Sequence, residues 1–296
     1  MKQYLDLLKD ILENGNERDD RTGVGTISVF GRQLRFKMSD GFPAVTTKKL
    51  AWKAVVSELL WFLEGSTNEH RLAEIKNDNK PYSELTEKER KTIWTANAEN
   101  QGVSLGYKDG ELGPVYGKQW REWSLRADGC EYNVDQIATV IKQIKNNPTS
   151  RRIMINAWNV EQLNLMALPP CHYGFQFYVD GDKLSLMWNQ RSIDMACGLP
   201  FNIASYALLL HIVAYMTKKI PYELIGNLGD CHIYKNHIEG VKEQLTRTPH
   251  KLPTLKMPEV YVYWADIDSY LMSVKTSDFA LENYECEPSI KFEMAV

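Results

Sequence analysis

The segment Leu168-Pro169-Pro170-Cys171-His172 places a cysteine directly after two prolines. Proline fixes the backbone angle φ, so the Cys171 thiol would lie on a stiff stretch of chain. A thiolate nucleophile needs nearby positive charge to lower its pKa from about 8.5, and Arg151, Arg152 and Arg191 could supply it. For so short a motif, a packed structural cysteine is the commoner outcome, and both interpretations stay open at this point.

A second group of polar residues could bind an anion and a polar ring. Gln190-Arg191-Ser192 follows a predicted strand, and Arg and Ser together can hold a phosphate through charge-assisted hydrogen bonds. The Asn202 amide offers one acceptor and two donors, so it could recognise the edge of an amide-bearing ring. Asn is also a favoured helix N-cap, and Asn202 directly precedes the apolar run 203–210.

Further arginines are candidates for anion binding. Arg21 lies in the polar, Gly-rich turn 19–26, and the adjacent pair Arg151-Arg152 begins a predicted strand. Two adjacent side chains on a strand cannot both face a core, so at least one is exposed or meets an anion. A solvated surface pair is the alternative.

A carboxylate and a histidine–tyrosine pair complete the candidates. Glu58 lies inside a mostly apolar helix, where a carboxylate is costly unless it is paired or protonated, as a tuned acid or base is. His232 and Tyr234 lie two residues apart on a predicted strand, so both point to one face and could bind one ligand. Ordinary packing is the alternative for this pair.

The composition limits the classes of function. Lys plus Arg total 35 and Asp plus Glu total 38, so the formal net charge is −3 over 296 residues, which argues against a general binder of nucleic acid or acidic membranes. No apolar run is predicted to span a bilayer. The five cysteines are odd in number and form no Cys-x-x-Cys pair, which favours reduced thiols in a cytoplasm. The histidines lack metal-binding spacing, so no metal site is expected.

Helices and strands alternate along the chain. The spacing of apolar residues predicts helices over 4–12, 53–63, 135–145 and 203–215, and strands over 27–30, 153–158, 175–179 and 184–188. The charged stretch 76–92 is predicted to be a surface excursion. Because no Pro-, Gly- or Ser-rich linker divides the chain, we predict one α+β domain over residues 1–296.

With these residues assembled, the chain closely resembles the thymidylate synthase family along nearly its whole length. The matching blocks are DDRTGVGT, DGFPAVTTKK, ELLWFLEGSTN, GELGPVYGKQWR, SRRIMINAWN, MALPPCH, QRSID, GLPFNIASYALL, CHIYKNH and PSIKFEMAV. The resemblance implies a mixed β-sheet flanked by helices, with the sheets of two subunits packed back to back in a homodimer. It also implies dUMP as substrate, 5,10-methylenetetrahydrofolate as cofactor, and a cytoplasmic location, in the host if a phage encodes the chain.

The resemblance assigns the chemistry to a few residues. Cys171 would be the nucleophile that adds to C6 of the pyrimidine. Glu58 would be the general acid or base, with ordered water near His172 and Tyr116. Asn202 would bind the O4 and N3 edge of uracil; relatives that act on cytosine carry Asp there, so Asn202 favours dUMP over dCMP.

The resemblance implies the binding residues in the same way. The substrate would be bound by Arg21, Gln190, Arg191 and Ser192, by Arg151 and Arg152 of the partner subunit, and by His232 and Tyr234 at the deoxyribose. The folate would be bound by Lys48, Trp94, Cys197, Gly198, Phe201, the C-terminal Val296 and Asp194, which is also a candidate catalytic residue.

Several positions depart from the usual pattern of the family. They are Asn189, Thr95, Cys197, Tyr173, Cys231 and Glu287, where Tyr, Asp, Leu, a small or aliphatic residue, Thr or Ala, and His are usual. Asn189 and Thr95 resemble the related dCMP hydroxymethylases, and a smaller Cys197 would loosen the pterin stacking that hydride transfer demands.

These departures suggest which product leaves the enzyme. We predict a dUMP hydroxymethylase, in which water adds to the exocyclic methylene and 5-hydroxymethyl-dUMP leaves, with Asn189, Thr95 and Cys197 as product-determining residues. The alternative is thymidylate synthase, which makes dTMP and dihydrofolate. An inactive, regulatory relative would have lost Cys171 or Glu58, and both are present.

Overall fold

A computed structural model describes residues 1–20, 23–260 and 266–293. Within these ranges the helices are Lys2–Asn14 (α1), Trp52–Glu64 (α2), Glu69–Lys76 (α3), Glu87–Arg90 (α4), Thr95–Asn97 (α5), Tyr116–Arg121 (α6), Gln136–Asn146 (α7), Gly198–Thr217 (α8), Ile238–Thr246 (α9) and Ile267–Ser273 (α10). The strands are Asn16–Arg18 (β1), Thr26–Lys37 (β2), Trp123–Ala127 (β3), Cys130–Val134 (β4), Met154–Asn156 (β5), His172–Asp180 (β6), Lys183–Asp194 (β7), Ile220–Tyr234 (β8), Thr254–Lys256 (β9) and Ala280–Glu282 (β10).

Six strands form one mixed sheet in the order β1-β2-β8-β7-β6-β5. Strands β7 and β8 are parallel, and the other neighbouring pairs of this sheet are antiparallel. A parallel pair needs a long crossover connection, which the 20-residue helix α8 supplies. The predicted α+β fold, a mixed sheet flanked by helices, is confirmed.

Helices α2 and α8 form the centre of the core. In α2 all nine residues from Val55 to Leu63 are buried, Glu58 among them, and α8 is buried on almost every side. By length and composition alone α8 could cross a membrane, contrary to the prediction from the sequence. However, 72% of its most apolar window is buried inside the protein, which is the position of a core helix.

Helix α8 begins earlier than the apolar run predicts. It starts at Gly198, so Asn202 lies inside the helix and the N-cap position is occupied by Cys197. Pro200 allows this early start because proline is tolerated in the first turn, where its missing N–H has no intrahelical partner. The predicted N-cap role of Asn202 is therefore wrong, and its side chain is available for other contacts.

The sheet changes character where Gly31, Arg191 and Gly229 interrupt the ladder on three neighbouring strands. Gly31 has φ +75°, and a Cβ on Gly229 would approach the Arg191 carbonyl oxygen to 2.8 Å, so both positions favour glycine. Before the interruption the even-numbered residues of β7 are buried, and after it the odd-numbered Ile193 is buried. The positions that face the core therefore shift by one residue. Polar residues that pair across the strands follow the interruption, namely Ser192, Asp194, Asp230, His232 and Tyr234.

Candidate active site

Cys171 is held at the beginning of β6 through its backbone. Its N–H donates to the Tyr116 hydroxyl at 2.8 Å, and its carbonyl accepts the Arg191 N–H at 2.9 Å. The Arg191 guanidinium also donates to the carbonyls of Pro170 and Pro169, at 2.9 and 3.2 Å. The stretch of chain around Cys171 is therefore hydrogen-bonded to α6 through Tyr116 and to β7 through Arg191.

The Cys171 thiol experiences two opposing influences. Burial raises its pKa above the ordinary cysteine value, and the positive charge of Arg191 lowers it. Burial is the larger influence in the unliganded single chain. A second cation near the thiol would therefore favour the nucleophilic thiolate.

Glu58 extends from α2 into an aromatic cluster. Its Oε1 accepts a hydrogen bond from the Trp94 indole N–H at 2.7 Å. Burial raises the pKa of the Glu58 carboxyl to about 7, although the indole bond opposes the shift. Trp94 is itself buried, with ring centroids 5.5 Å from Trp61 and 6.0 Å from Tyr116. The predicted acid or base thus titrates in the neutral pH range, where proton transfer in both directions is possible.

His172 is buried beside the nucleophile in neutral form. Burial lowers the pKa of its imidazole to about 3. Its ring stacks on Tyr116 at a centroid distance of 4.3 Å, and its Nδ1 lies 2.7 Å from the Tyr206 hydroxyl. Tyr206 was not predicted from the sequence, although it lies four residues after Asn202 on α8, where side chains share a face.

A chain of side-chain hydrogen bonds orients the Asn202 amide. The Trp188 indole N–H donates to Gln190 Oε1 at 3.1 Å, and Gln190 Nε2 donates to Asn202 Oδ1 at 3.0 Å. Because the second bond uses only one lone pair of Oδ1, the Asn202 amide can still donate to and accept from a ring edge. This arrangement suits the predicted role of Asn202 in binding a base.

Ser192, His232 and Tyr234 line a cavity of about 210 Å³ beside the Gly-rich turn. The rings of His232 and Tyr234 lie 5.2 Å apart, as their strand positions predict. His232 Nδ1 lies 3.2 Å from Asp230 Oδ1, and Arg18 donates to the other Asp230 oxygen at 2.8 Å. Asp230 was missed, although a residue two positions before His232 shares its face of the strand.

Lys48 and Asp194 both hydrogen-bond to the backbone beside Cys197, at the start of α8. The Asp194 Oδ1 accepts the backbone N–H groups of Ala196 and Cys197, at 2.8 and 3.2 Å. The buried Lys48 ammonium donates to the Ala196 carbonyl and lies 4.7 Å from the ring centroid of Phe292. Among the described residues Lys48 forms no ion pair. A buried cation without a counter-ion suits the anionic glutamate tail of a folate.

Gly198 and Phe201 follow Cys197 in the first turns of α8. A Cβ on Gly198 would lie 3.7 Å from Asp194 Cβ and 3.9 Å from Asn202 Oδ1. Gly198 therefore keeps the space between the candidate folate and base residues open. The half-buried Phe201 ring packs against the hydrophobic core.

Two of the three candidate product-determining residues lie away from Asp194 and Lys48. Asn189 accepts from Asn227 at 3.0 Å on the outer face of the sheet, where it lines a pocket with Tyr173. The Thr95 hydroxyl donates to Glu69 of α3 at 2.5 Å. Of the three, only Cys197 lies beside Asp194 and Lys48, whereas Thr95 directly follows Trp94, another candidate folate residue.

The cationic candidates are dispersed within a single chain. Arg151 and Arg152 are exposed before the edge strand β5, and the Arg151 carbonyl accepts from Gln176. Gln176 pairs with Met187, four residues from Arg191 along β7, a separation of roughly 13 Å at 3.3 Å per residue. Arg21 and Val296 lie outside the described residues.

Comparisons with known proteins identify the family of the chain. A sequence model of the thymidylate synthase family matches residues 2–296. The thymidylate synthase of Enterobacteria phage T4 is 50% identical over the full length of both chains. The thymidylate synthase of Listeria monocytogenes serotype 4a is 44% identical, also over the full length of both. The crystal structure of thymidylate synthase from T4 phage superposes with a TM-score of 0.89 and covers all of both chains. The chain therefore belongs to the thymidylate synthase family.

Proposed function

We propose that this chain is a thymidylate synthase, which methylates dUMP reductively and releases dTMP and dihydrofolate. Its family transfers a one-carbon unit to C5 of dUMP with 5,10-methylenetetrahydrofolate as the donor, so the chain is a folate-dependent one-carbon transferase. The proposal concerns the product. It rests on the arrangement around Glu58 and on the names of the relatives at 44 to 50% identity.

The observation that carries the proposal is the buried aromatic wall around Glu58. The Trp94 side chain is bound to Glu58 and packed among Trp61, Phe62 and Tyr116. Such a wall keeps water away from an electrophilic exocyclic methylene, as hydride transfer requires and hydration does not. The buried position of the wall supports reduction over water addition.

The dUMP hydroxymethylase predicted from the sequence is not supported by the comparisons, because the relatives are named as thymidylate synthases. The contacts of Asn189 and Thr95 also weaken the sequence argument for a hydroxymethylase. Asn189 bonds to Asn227 on the outer face of the sheet, and Thr95 bonds to Glu69.

In the proposed reaction the Cys171 thiolate adds to C6 of uracil, and negative charge develops at C5 and O4. Asn202 would hold the N3 and O4 edge and stabilise that charge. Glu58, with its pKa near 7, would exchange protons with the ring. When bound, methylenetetrahydrofolate supplies the one-carbon unit and the hydride.

Binding of the two ligands is divided between two ends of the site. Ser192, His232 and Tyr234 would hold the phosphate and deoxyribose of dUMP, with Asp230 orienting the His232 ring. Lys48 and Asp194 would hold the folate, by the buried ammonium and by the carboxylate at the start of α8.

The test is to incubate the protein with dUMP and methylenetetrahydrofolate, follow dihydrofolate by absorbance, and identify the nucleotide by mass. We expect one dihydrofolate for each dTMP. If hydroxymethyl-dUMP forms without dihydrofolate, reductive methylation is the wrong assignment.

Replacement of the nucleophile gives a matched test of mechanism. We expect Cys171→Ser to lower turnover by about 10³-fold or more, since a neutral hydroxyl is a far weaker nucleophile than a thiolate. Cys130→Ser is the control, because Cys130 is exposed on the hairpin strand β4. Comparable turnover of the Cys171→Ser and wild-type proteins would exclude Cys171 as the nucleophile.

A further inference from the structure

Three potential metal ligands converge beside α8, although they are scattered in the sequence. One ligand atom each of Asp194, Cys197 and His237 lies within 4.8 Å of the other two. Asp194 ends β7, Cys197 precedes α8 and His237 follows β8. Carboxylate, thiolate and imidazole are each ligands of zinc, and together they favour a borderline-soft divalent ion.

His237 is already in the tautomer that a metal ion needs. Its side chain is fully buried, and Nε2 lies 2.6 Å from the carbonyl oxygen of Glu293. Because a carbonyl can only accept, Nε2 carries the proton and Nδ1 presents a lone pair. Nδ1 is buried with no hydrogen-bond partner among the described residues, and it lies 3.9 Å from Asp194 Oδ1. A ligating histidine whose other nitrogen donates to a carbonyl is the usual arrangement around a metal.

The other two ligands are also fixed by the fold. Two backbone N–H groups donate to Asp194 Oδ1, which orients the carboxylate. Burial raises the pKa of the Cys197 thiol to about 12, with the negative charge of Asp194 adding to the effect. A bound divalent ion would reverse this preference, because it binds the thiolate and the proton passes to solvent.

From this geometry we infer that Asp194, Cys197 and His237 form a binding site for a zinc-class divalent ion. Bonds of about 2.0–2.3 Å in a tetrahedral site place ligand atoms roughly 3.5 Å apart, so atoms that lie within 4.8 Å of one another have to approach by about 1.3 Å at most. Three protein ligands leave a fourth position for water. The neighbouring Lys48 ammonium opposes a second cation.

The site has a consequence for the proposed reaction, and this step rests on the proposed function. Asp194 and the adjacent Lys48 are the residues assigned to folate, so a bound ion would occupy the entrance to the folate subsite. Zinc would therefore inhibit turnover in competition with methylenetetrahydrofolate. Binding of the ion itself does not depend on catalysis and can be measured without either substrate.

The test uses Co²⁺ as a spectroscopic probe on the chelator-treated, full-length protein. A cobalt–thiolate bond has a charge-transfer absorption in the near ultraviolet, and we expect one equivalent per chain, displaced by Zn²⁺. Cys197→Ala should abolish the band, and His237→Gln should weaken Co²⁺ binding by tenfold or more. Gln is chosen because its amide N–H can still donate to the Glu293 carbonyl.

Two controls identify the thiol. Cys231→Ala removes a buried cysteine on β8 and should leave Co²⁺ binding unchanged, and Cys171→Ala should do the same. The inference is overturned if wild-type protein shows no cobalt–thiolate band, or if Cys197→Ala retains it at wild-type affinity. It is equally overturned if Cys171→Ala abolishes the band, because the ion then binds the catalytic thiol. Thermal unfolding without metal checks that each variant is folded; if His237→Gln is not, Cys197→Ala decides.

Discussion

The Glu58 carboxyl combines a functional position with an energetic cost to the fold. It is 5% exposed, and its carboxylate accepts a hydrogen bond from a neutral indole rather than from a cation. Burial therefore raises its pKa from 4.5 to about 7. A raised carboxyl pKa means that the native state binds a proton which the unfolded state has already released. The cost appears as pH rises from about 4.5 towards and beyond 7.

Glu58→Gln should consequently stabilise the protein at alkaline pH. The native stability contributed by the protonated carboxyl is fully present below pH 4.5 and is lost as pH rises through about 7. A shift of this size corresponds to about 3 kcal/mol at most. We expect the free energy of unfolding of the variant, relative to wild type, to be about 2–3 kcal/mol higher at pH 8 than at pH 4.5. Urea unfolding at both pH values measures this difference.

The same substitution should abolish the proton transfer on which turnover depends. We expect kcat to fall by about 10²- to 10⁴-fold, and the inflection near pH 7 that Glu58 gives to the wild-type profile should disappear. Glu64→Gln is the control, because Glu64 ends the same helix at the surface in an ion pair with Arg71. An equal gain in stability at both pH values would show that the pKa of Glu58 is not raised in the native state.

The residues predicted from sequence are those whose type is unusual in its setting. Glu58 is a charge in an apolar helix, and Cys171 follows two prolines. Tyr206 and His237 escaped prediction because they act through partners that the fold brings to them, whereas Asp230 lies two residues from its partner His232 and was overlooked. The Asp194, Cys197 and His237 cluster is invisible to spacing rules because its members come from separate elements.

At the scale of elements, the short helix α5 is tied to α3 through a buried carboxylate. Glu69 is 3% exposed, and its Oε1 accepts from the hydroxyls of Thr92 and Thr95 at 2.7 and 2.5 Å. Thr95 also accepts the Thr92 N–H at 2.8 Å. Trp94 lies between these two threonines, so the tie fixes the segment that carries the indole against Glu58.

Thr95→Val should loosen this tie without changing the product. Loss of a hydroxyl that bonds a buried carboxylate should cost about 1–3 kcal/mol, measured as the free energy of unfolding. Thr95→Ser keeps the hydroxyl and should remain within about 0.5 kcal/mol of wild type. The ratio of dTMP to hydroxymethyl-dUMP should be the same in all three proteins. A rise in hydroxymethyl-dUMP with Thr95→Val alone would restore Thr95 as a product-determining residue.

The elements themselves were predictable to different degrees. Helices α2 and α7 agree with their apolar spacing to within about one residue at each end. The predicted start of α8 lies after the observed one because its first turn contains Gly and Pro, which ordinarily signal loops. The interruption at Gly31, Arg191 and Gly229 depends on the pairing of three strands, which local sequence does not specify.

At the scale of the whole molecule, the outer face of the large sheet is too apolar for a free surface. Tyr178, Ile220 and Phe30 are 67%, 60% and 81% exposed. Side-chain hydrogen bonds run across the strands beside them, from Gln33 to Asn227 to Asn189. Exposed apolar residues on a flat, ordered face are typical of subunit interfaces. Because the family is generally homodimeric, we propose that this face packs on its copy.

Tyr178→Glu should therefore dissociate the dimer. In a two-fold interface each substitution appears twice, so two carboxylates would be placed close to the symmetry axis or against the same partner surface. We expect a monomer by analytical ultracentrifugation and loss of turnover. Met272→Glu, at an 85% exposed position of α10, is the control and should stay dimeric. A dimeric Tyr178→Glu protein would indicate that another surface forms the interface.

The dimer also determines where Arg151 and Arg152 act. Within one chain these exposed arginines lie by the edge strand, away from Ser192 and His232, so we propose that they reach the phosphate site of the partner subunit. No pattern within one chain can reveal such a contact, since it exists only between two copies.

Subunit mixing distinguishes donation across the interface from action within a chain. Arg151→Ala/Arg152→Ala and Cys171→Ser proteins should each be nearly inactive. In a mixed dimer, the chain that keeps Cys171 would receive intact arginines from its partner, while the other site would lack both. Random exchange makes half of the dimers mixed, each with one intact site of two, so we expect about a quarter of wild-type activity to return. If activity stays at the level of the parent variants although mixed dimers form, the arginines serve their own chain.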